Sequence, residues 1–493
     1  VYPERTAVVD GERTFSYAEL AARADALGRA LRDAGVAAGQ RVAVLAPNRS
    51  ELIEAHFGVP ASGAVLCAIN IRLAGAEIAH ILAHSSSKLV LCDPELRHLV
   101  PDGIRVIELG DAYEQFLAGA SPAPLAAWPD QEERPISVNY TSGTTGRPKG
   151  VVYSHRGAYL VALEQVINAG LTCDSRYLWT LPLFHCNGWT YPWAVTAAGG
   201  THVCLRRVEP GTVWRELRGG ITNLCAAPTV LISLYSHADA APLERPLRIT
   251  TAGAPPSPTV IARMEALGAT IVHAYGLTET YGPFTICAWP GEWDALPDDE
   301  RHRRRARQGV PPTIGGGVRV LDPDGNDVPA DGVTQGEIAM RGNGVMLGYL
   351  DDPEATARAC AGGWFHSGDG AVMHPDGYVE IRDRLKDVII SGGENISSVE
   401  VEQVIVRHPS VLEAAVVGVP DDRWGERPKA FVTLAEGKTV DAAELIAFCR
   451  DELAHFKCPD SVEFGPLPKT STGKVQKVVL REAEWAGRER RVN

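Results

Sequence analysis

The feature that most restricts the fold is a repeated alternation of amphipathic helices with short apolar runs, which begins near the start of the chain. Ser16 and Glu19 have the spacing of a capping box, in which each side chain bonds the other residue's backbone N–H in the first turn of a helix. Apolar residues then recur at helical spacing until Gly35, which is expected to end the helix. These apolar residues are Leu20, Ala24, Leu27, Leu31 and Ala34. The pattern predicts one helix with a single buried face.

Short runs rich in β-branched and apolar residues follow, and they predict strands. The run at 41–45 comes directly after the first helix, and further runs lie at 88–92 and 103–107. Helical stretches separate these runs, which is the rhythm of βαβ units on a parallel sheet. We therefore predict an open α/β architecture up to about Pro290.

The sequence pattern changes twice in the C-terminal half of the chain. After Gly309, turn signals rich in Gly, Asp, Asn and Pro interrupt short apolar runs, which predicts a small antiparallel β-barrel or sheet. The second change comes at 383–387, after which a capped helix, two apolar strands and another helix form a compact unit. We predict an N-terminal domain at 1–384 and a C-terminal domain at 385–493.

The composition restricts the partners and the compartment. Lys and Arg number 48 against 61 Asp and Glu, so the formal net charge is −13 and the overall field disfavours nucleic acid and anionic membranes. The cysteines form no CxxC pair, which argues against a zinc ribbon or a disulfide framework and fits buried thiols in a reducing cytosol. No apolar run is long enough for a membrane span, and no leader pattern opens the chain. We expect a cytoplasmic protein that binds no nucleic acid and has no transmembrane segment, while a homodimer stays open.

The segment 140–150 has the composition of a phosphate-binding loop. Its glycines let backbone N–H groups approach a polyphosphate, its hydroxyls donate to phosphate oxygens, and its lysine supplies a compact positive charge. The spacing differs from that of a Walker A loop, because Lys149 is followed by Gly150 rather than by Ser or Thr. The candidate phosphate ligands are Thr141, Ser142, Gly143, Thr144, Thr145, Gly146 and Lys149.

Further segments, spread over almost the whole chain, resemble the adenylate-forming superfamily of acyl-CoA synthetases, free-standing adenylation enzymes and beetle luciferase. Besides 140–150, these segments lie at 181–189, 251–255, 273–280, 363–369, 383–387, 391–396 and 468–474. Two of them, at 184–189 and 392–398, are most similar to acyl-CoA synthetases for medium-chain, branched and aromatic acids. The resemblance implies an α/β and α+β multidomain fold. It would have a large N-terminal domain of two stacked α/β subdomains plus a β-barrel, and a small mobile C-terminal α+β lid.

The resemblance assigns a nucleotide site to several of these segments. Tyr275 would stack on adenine, Thr278 would meet a phosphate and Glu279 would hold Mg²⁺, roles that suit an aromatic ring, a hydroxyl and a carboxylate. Asp369 would accept the two ribose hydroxyls, with Arg384 nearby. The other residues implied to line the ATP or AMP site are Gly253, Ala254, Pro255, Ala274 and Gly276.

The implied reaction has two steps. A carboxylate attacks the α-phosphate of Mg-ATP to give an acyl-AMP and pyrophosphate, while Lys474 and Thr278 stabilise the developing charge. CoA then displaces AMP, after the lid rotates about Lys386 and brings Gly393 into the tunnel for the thiol arm. His185 would lie beside the reacting groups.

The sequence predicts an AMP-forming acid–thiol ligase that uses ATP, Mg²⁺ and CoA, but it does not identify the acid. Trp189 resembles a gate to an acyl tunnel, and Phe184 is a second candidate for the acyl pocket. Carrier-protein loading, amide formation and nitrite activation for diazotisation of an aryl amine stay open as alternatives. Amino-acid activation is disfavoured because no carboxylate lies at 181–192 to pair a substrate ammonium. A non-catalytic nucleotide-binding protein is disfavoured because Lys474 and Glu279 are both present.

Overall fold

The computed structural model describes residues 2–123, 125, 129, 131–141, 148–311, 313–314, 316–385, 387–392, 394–470 and 473–486. Some residues with roles assigned from the sequence lie outside the described residues. They are Ser142, Gly143, Thr144, Thr145, Gly146, Lys386 and Gly393. Their roles therefore stay predictions.

The chain up to 154 alternates strands and helices as predicted. The elements are β1 (Thr6–Asp10), β2 (Arg13–Ser16), α1 (Tyr17–Asp33), β3 (Arg41–Leu45), α2 (Ser50–Ala61), β4 (Val65–Ala68), α3 (Gly75–His84), β5 (Leu89–Cys92), β6 (Val106–Glu108), α4 (Asp111–Ala118), β7 (Pro135–Tyr140) and β8 (Gly150–Ser154), with a 3₁₀ helix at Pro94–Leu99. The capping box is confirmed: Ser16 N donates to the Glu19 carboxylate at 2.7 Å, and Glu19 N donates to Ser16 Oγ at 3.2 Å. The strand predicted at 103–107 is shorter and later, because Gly103 has a φ of 85° and belongs to a turn.

The next part of the chain continues the alternation. Its elements are α5 (His155–Asn168), β9 (Arg176–Leu178), the single turn α6 (Cys186–Trp189), α7 (Tyr191–Ala198), β10 (Thr201–Cys204), α8 (Pro210–Arg218), β11 (Asn223–Ala226), α9 (Pro228–Tyr235), β12 (Leu247–Thr251), α10 (Pro258–Ala266), β13 (Ala269–Leu277), β14 (Gly282–Ile286) and α11 (Asp298–Arg305), with 3₁₀ helices at Thr278–Thr280 and Gly291–Ala295.

Two large sheets organise these elements. An eight-stranded sheet has the order β14-β13-β12-β11-β9-β10-β1-β2, and a seven-stranded sheet has the order β17-β8-β7-β4-β3-β5-β6, where β17 is Gly348–Tyr349. The inner strands of both sheets pair in parallel, whereas β2, β8, β14 and β17 pair antiparallel at the edges. The predicted α/β class is therefore confirmed.

Antiparallel structure dominates the rest of the chain. Its other elements are β15 (Gly317–Leu321), β16 (Gln335–Arg341), α12 (Pro353–Ala359), β18 (Phe365–Met373), β19 (Val379–Arg384), β20 (Ile389–Ser391), β21 (Glu394–Ile396), α13 (Ser398–Ile405), β22 (Val411–Asp421), β23 (Gly425–Leu434), α14 (Ala442–Glu452), β24 (Ser461–Phe464) and α15 (Lys477–Glu484), with 3₁₀ helices at Ala361–Gly363 and His455–Lys457. The region predicted as a β-barrel or sheet takes the form of a four-stranded sheet in the order β15-β16-β18-β19. A separate sheet, β21-β20-β23-β22 with β24 on β23, carries α13, α14 and α15.

Two findings bear on the environment of the protein. All ten cysteines are free thiols, as expected from their irregular spacing. Among the described helices, none is both long enough and apolar enough to cross a bilayer.

The topology brings the candidate site residues to one region. β12 ends at Thr251 and β13 at Leu277, in parallel pairing, so the residues after them meet at one edge of the eight-stranded sheet. In open α/β sheets, ligands bind at the carboxyl ends of the strands. Gly253 and Thr278, which follow these two strands, lie at this edge.

Candidate active site

Asp369, Tyr275 and Arg384 form a hydrogen-bonded group at the junction of two sheets. Asp369 and Arg384 face each other across the β18–β19 pairing, and Arg384 Nε lies 3.3 Å from Asp369 Oδ1. The Tyr275 hydroxyl donates to Asp369 Oδ2 at 2.7 Å. Burial and the neighbouring carboxylate raise the pKa of Tyr275 well above its usual value, so the hydroxyl remains a donor. The carboxylate predicted to bind ribose is thus oriented through both of its oxygens.

Small residues surround Tyr275 in the strand and at its edge. Ala274 is buried, and Gly253 is exposed beside the partly exposed Ala254 and Pro255. Gly276 packs against the backbone of β14, where an added Cβ would lie only 1.7 Å from the carbonyl oxygen of Gly282. Only glycine fits at position 276, because any side chain there would collide with the backbone of β14.

Two hydrogen bonds hold together the ends of the segment that is predicted to bind phosphate. Thr141 N donates to the carbonyl oxygen of Lys149 at 3.0 Å, and Lys149 N donates to Thr141 Oγ1 at 3.3 Å. The Lys149 ammonium lies 4.6 Å from the centroid of the Tyr349 ring, within the range of a cation–π interaction. The Tyr349 hydroxyl donates to Glu279 Oε1 at 2.8 Å. Tyr349 therefore connects the lysine of this segment to the candidate Mg²⁺ ligand.

Thr278 lies beside Cys186, which follows His185 in the sequence. Cys186 Sγ contacts Thr278 Oγ1 at 3.5 Å, and the Tyr153 hydroxyl donates to the Thr278 carbonyl oxygen at 2.5 Å. Burial, together with the positive charge of Lys474, lowers the pKa of His185 to about 4. His185 is therefore a neutral imidazole at physiological pH.

Trp189 is carried by a left-handed turn. The residues Cys186, Asn187, Gly188, Trp189 and Thr190 have φ values of 50°, 50°, 55°, 53° and 66°. Such angles cost about 1–2 kcal/mol for each residue other than glycine, so tertiary contacts must hold the turn. Asn187 supplies two of them, since its backbone N–H donates to Asn139 Oδ1 at 3.2 Å and its Nδ2 donates to Ser137 Oγ at 2.6 Å.

The two acyl-pocket candidates are both buried. Trp189 lies against Gly282, where an added Cβ would come within 2.8 Å of the Trp189 ring. Phe184 belongs to the same hydrophobic cluster as Trp189 and Tyr191. The two candidates therefore belong to one buried aromatic cluster in the segment that contains His185.

Lys474 reaches this region from the C-terminal part of the chain. It lies in a hairpin in which Lys474 N donates to Thr470 Oγ1 at 3.1 Å and Gly473 approaches Thr229 of the N-terminal part. Surrounding protein atoms and the positive charge of Arg384 lower the pKa of Lys474 to about 8, while Asp369 opposes that shift. By accessible surface Lys474 is nevertheless an exposed residue. Lys474 therefore lies close enough to His185, Arg384 and Asp369 for their charges to interact.

The sequence patterns do not single out three further residues that contact Glu279 or Thr278. They are Tyr349, Tyr153 and Cys186. Tyr349 reaches the site because the two-residue strand β17 pairs with β8. No local sequence pattern predicts that pairing. Tyr153 follows a strand-like alternation that marks it only as a buried residue. Cys186 follows His185 in the family-like segment 181–189, and this position in the sequence is the only signal that points to it.

Two family models match the chain. A model described as AMP-binding enzyme matches residues 1–350, and one described as AMP-binding enzyme C-terminal domain matches residues 400–474.

Curated relatives match over nearly their full length. An acetate/butyrate–CoA ligase of Arabidopsis thaliana, named as peroxisomal, is 45% identical, with 98% of this chain and 92% of the relative covered. An acetate–CoA ligase and a 2-methylpropanoate–CoA ligase of Humulus lupulus are 46% and 44% identical, with the same coverage.

Solved structures share the fold. ATP-bound MatB from Rhodopseudomonas palustris superposes with a TM-score of 0.88 at 30% identity, covering 98% of this chain and 96% of that one. A benzoate CoA ligase from Burkholderia xenovorans gives a TM-score of 0.87 at 26% identity, covering 98% and 97%.

Proposed function

The chain belongs to the family of AMP-binding enzymes and is an ATP-dependent acid–CoA ligase, and from that premise we propose how its residues perform the reaction and which acids it takes. Four of its curated relatives, at 41% to 46% identity, are named as ligases that join acetate, butyrate or 2-methylpropanoate to CoA. The observation that carries the residue assignment is that Lys474 lies close enough to the Arg384–Asp369 ion pair for both charges to shift its pKa.

In the first step, Asp369 orients the nucleotide by accepting hydrogen bonds from the two ribose hydroxyls. An acid oxygen attacks the α-phosphorus, the bond to the β-phosphate bridging oxygen breaks, and pyrophosphate leaves. We propose that Lys474 and Thr278 stabilise charge on the α-phosphate oxygens. Thr141 and Lys149 hold the leaving pyrophosphate together with Ser142, Gly143, Thr144, Thr145 and Gly146. Because His185 is neutral, it does not compete with Lys474 as a second positive charge for the attacking carboxylate.

The residues present fit a magnesium ion. Mg²⁺ is bound in proteins by one or two carboxylates together with substrate phosphates, and it neutralises charge on the transferring group. Glu279 supplies such a carboxylate, and the hydrogen bond from Tyr349 orients it beside the phosphate-loop segment. We assign Glu279 as the protein ligand.

In the second step, the thiol of CoA attacks the acyl carbonyl carbon, the bond from that carbon to the phosphate oxygen of AMP breaks, AMP leaves, and the thiol proton passes to solvent. We propose that residues 385–493 act as a lid on the domain formed by 1–384, with Lys386 as the hinge and Gly393 in the thiol tunnel. One sheet ends with β19 at Arg384 and the next begins with β20 at Ile389, which supports a boundary between them.

We propose that the acid is short and aliphatic, straight or branched next to the carboxyl group. The three relatives named above are ligases for acetate, butyrate or 2-methylpropanoate. Trp189 is 5% exposed and packs directly on the backbone of Gly282, so the indole limits the room beyond the reacting carboxyl group. The compartment and a homodimer stay predictions.

Exchange of labelled pyrophosphate into ATP tests the assignment. The protein is incubated with ATP, Mg²⁺ and one acid at a time: acetate, butyrate, 2-methylpropanoate, octanoate, benzoate and nitrite. Exchange should be fastest with butyrate or 2-methylpropanoate and weak with octanoate and benzoate. Fastest exchange with benzoate or octanoate would refute the acid class, and a dependence on nitrite would favour the diazotising alternative.

A further inference from the structure

A buried polar network joins strand β19 to helices α13 and α15. Asp383, at the end of β19, accepts a 2.7 Å hydrogen bond from Ser398 N and a second one from Ser398 Oγ. Next to it, Ser397 Oγ donates to the carbonyl oxygen of Arg382 at 2.6 Å. The first turn of α13 is thus fixed to the last strand of the four-stranded sheet.

Lys477, the first residue of α15, completes this network. Its Nζ donates to Ser398 Oγ at 2.5 Å and pairs with Glu402 Oε1 at 2.7 Å. The side chains of Lys477 and Glu402 are only 15% and 17% exposed. The same oxygen, Glu402 Oε1, also accepts a hydrogen bond from the backbone N–H of Val416 at 2.7 Å. The ammonium is therefore fixed in direction, because each of its partners is itself fixed.

The network ends close to the catalytic cleft on both sides. Lys477 lies three residues after Lys474, and Gln476 N closes the intervening hairpin on the carbonyl oxygen of Pro468 at 2.8 Å. Asp383 adjoins Arg384, which pairs with the candidate ribose ligand Asp369. Lys477, Ser398 and Asp383 thus link the base of the hairpin that carries Lys474 to Arg384.

We propose that Lys477 is a positioning residue for acyl-AMP formation, acting through Ser398 and Asp383 to place Lys474 at the α-phosphate. The inference rests on the proposed role of Lys474. Lys477 touches none of the reacting groups. Its contribution is the geometry of the hairpin base, where a displacement of about 1 Å can cost roughly a hundredfold in rate.

The same helix offers a matched control. Lys429 pairs with Glu484 at 2.5 Å at the other end of α15, and its side chain is 16% exposed. That pair attaches α15 to β23 without touching β19. Losing it loosens the helix but leaves the connection to Asp383 in place.

The test compares two half-reactions in the full-length variants K477M, K477R, S398A and K429M. Acyl-AMP formation is measured by pyrophosphate exchange with butyrate, and thioester formation is measured from supplied butyryl-AMP and CoA. We expect K477M to slow exchange by roughly tenfold to a hundredfold in kcat. Thioester formation should stay within about twofold of the wild-type rate, and K477R should recover most of the exchange. K429M should change neither rate by more than about twofold.

S398A keeps the ion pair between Lys477 and Glu402 and the backbone hydrogen bond from Ser398 N to Asp383, and it removes only the hydroxyl that bridges Lys477 to Asp383. It should slow exchange by roughly threefold to tenfold without changing thioester formation. This variant decides the question if K477M fails to fold.

Equal loss of both half-reactions in K477M, equal effects of K477M and K429M, or wild-type exchange in S398A would overturn the inference. Failure of the proposed function would look different, because the wild-type protein itself would then show no acid-dependent exchange.

Discussion

The hydroxyl of Tyr349 donates to Oε1 of Glu279 at 2.8 Å, and the ring of the same tyrosine lies 4.6 Å from the Lys149 ammonium. One aromatic residue thereby sets the separation between the cation assigned to the leaving pyrophosphate and the carboxylate assigned to Mg²⁺. Tyr349 thus brings together two groups of opposite charge that are far apart in sequence.

Tyr349→Phe should weaken use of Mg-ATP while keeping the ring contact with Lys149. The lost hydrogen bond to a carboxylate predicts a rise of roughly tenfold in the KM for Mg-ATP, with a smaller change in kcat. Tyr349→Leu, which also removes the ring, should be worse. Steady-state kinetics over a range of Mg²⁺ concentrations checks this, and an unchanged KM in both variants would remove Tyr349 from the nucleotide site.

Asp369→Asn should impair nucleotide binding more than Tyr275→Phe. A carboxylate accepts from both ribose hydroxyls and from Tyr275 and Arg384, whereas an amide introduces donors into the same positions. We expect Asp369→Asn to raise the Kd for ATP roughly a hundredfold and Tyr275→Phe roughly threefold to tenfold. Calorimetric titration measures both. A larger loss in Tyr275→Phe would mean that Asp369 only orients the tyrosine.

Acyl-AMP formation should lose rate at alkaline pH. The pKa of Lys474 is lowered to about 8. The side chain is therefore fully protonated well below pH 8 and loses its positive charge as the pH rises through that value. The kcat/KM for ATP should fall by about tenfold per pH unit above about pH 8, because this parameter follows groups of the free enzyme. Lys474→Arg should be slower but should lack that limb, since arginine stays charged. A limb of the same midpoint in the arginine variant would assign it to another group.

Trp189→Leu should widen the acid range. Removing the indole from the Gly282 backbone frees space behind the reacting carboxyl group. The ratio of kcat/KM for octanoate to that for butyrate should rise roughly tenfold or more. Trp214→Leu is the matched control, because Trp214 is 2% exposed but belongs to a different hydrophobic cluster. An equal change of the ratio in both variants would contradict a role for Trp189 in acid selection.

Local sequence signals were sufficient for much of the framework. The Ser16 and Glu19 capping box and the strand at Arg41–Leu45 depend on neighbouring residues, and both lie where they were predicted. The free cysteines followed from spacing alone. The family relationship implied by the ordered segments is confirmed by the two matching family models.

Other features depend on contacts between distant parts of the chain. The left-handed turn at 186–190 contains a single glycine, so its backbone conformation reflects the hydrogen bonds from Asn187 to Ser137 and Asn139 rather than local preference. The approach of Tyr349 to Glu279 requires the pairing of β17 with β8. Such contacts link residues through the folded sheet, and a pattern of neighbours along the sequence does not encode them.

The central claim is that one site makes an acyl-AMP with Lys474 and then passes the acyl group to CoA. The most direct measurement follows AMP release and butyryl-CoA formation together, for the wild-type protein with ATP, Mg²⁺ and butyrate and for Lys474→Ala supplied with butyryl-AMP. AMP release by the wild type should rise strongly when CoA is added, with one thioester formed per AMP. Lys474→Ala should form almost no acyl-AMP from ATP yet convert supplied butyryl-AMP to the thioester at nearly the wild-type rate. An adenylate that CoA cannot discharge, or equal loss of both half-reactions in Lys474→Ala, would contradict the claim.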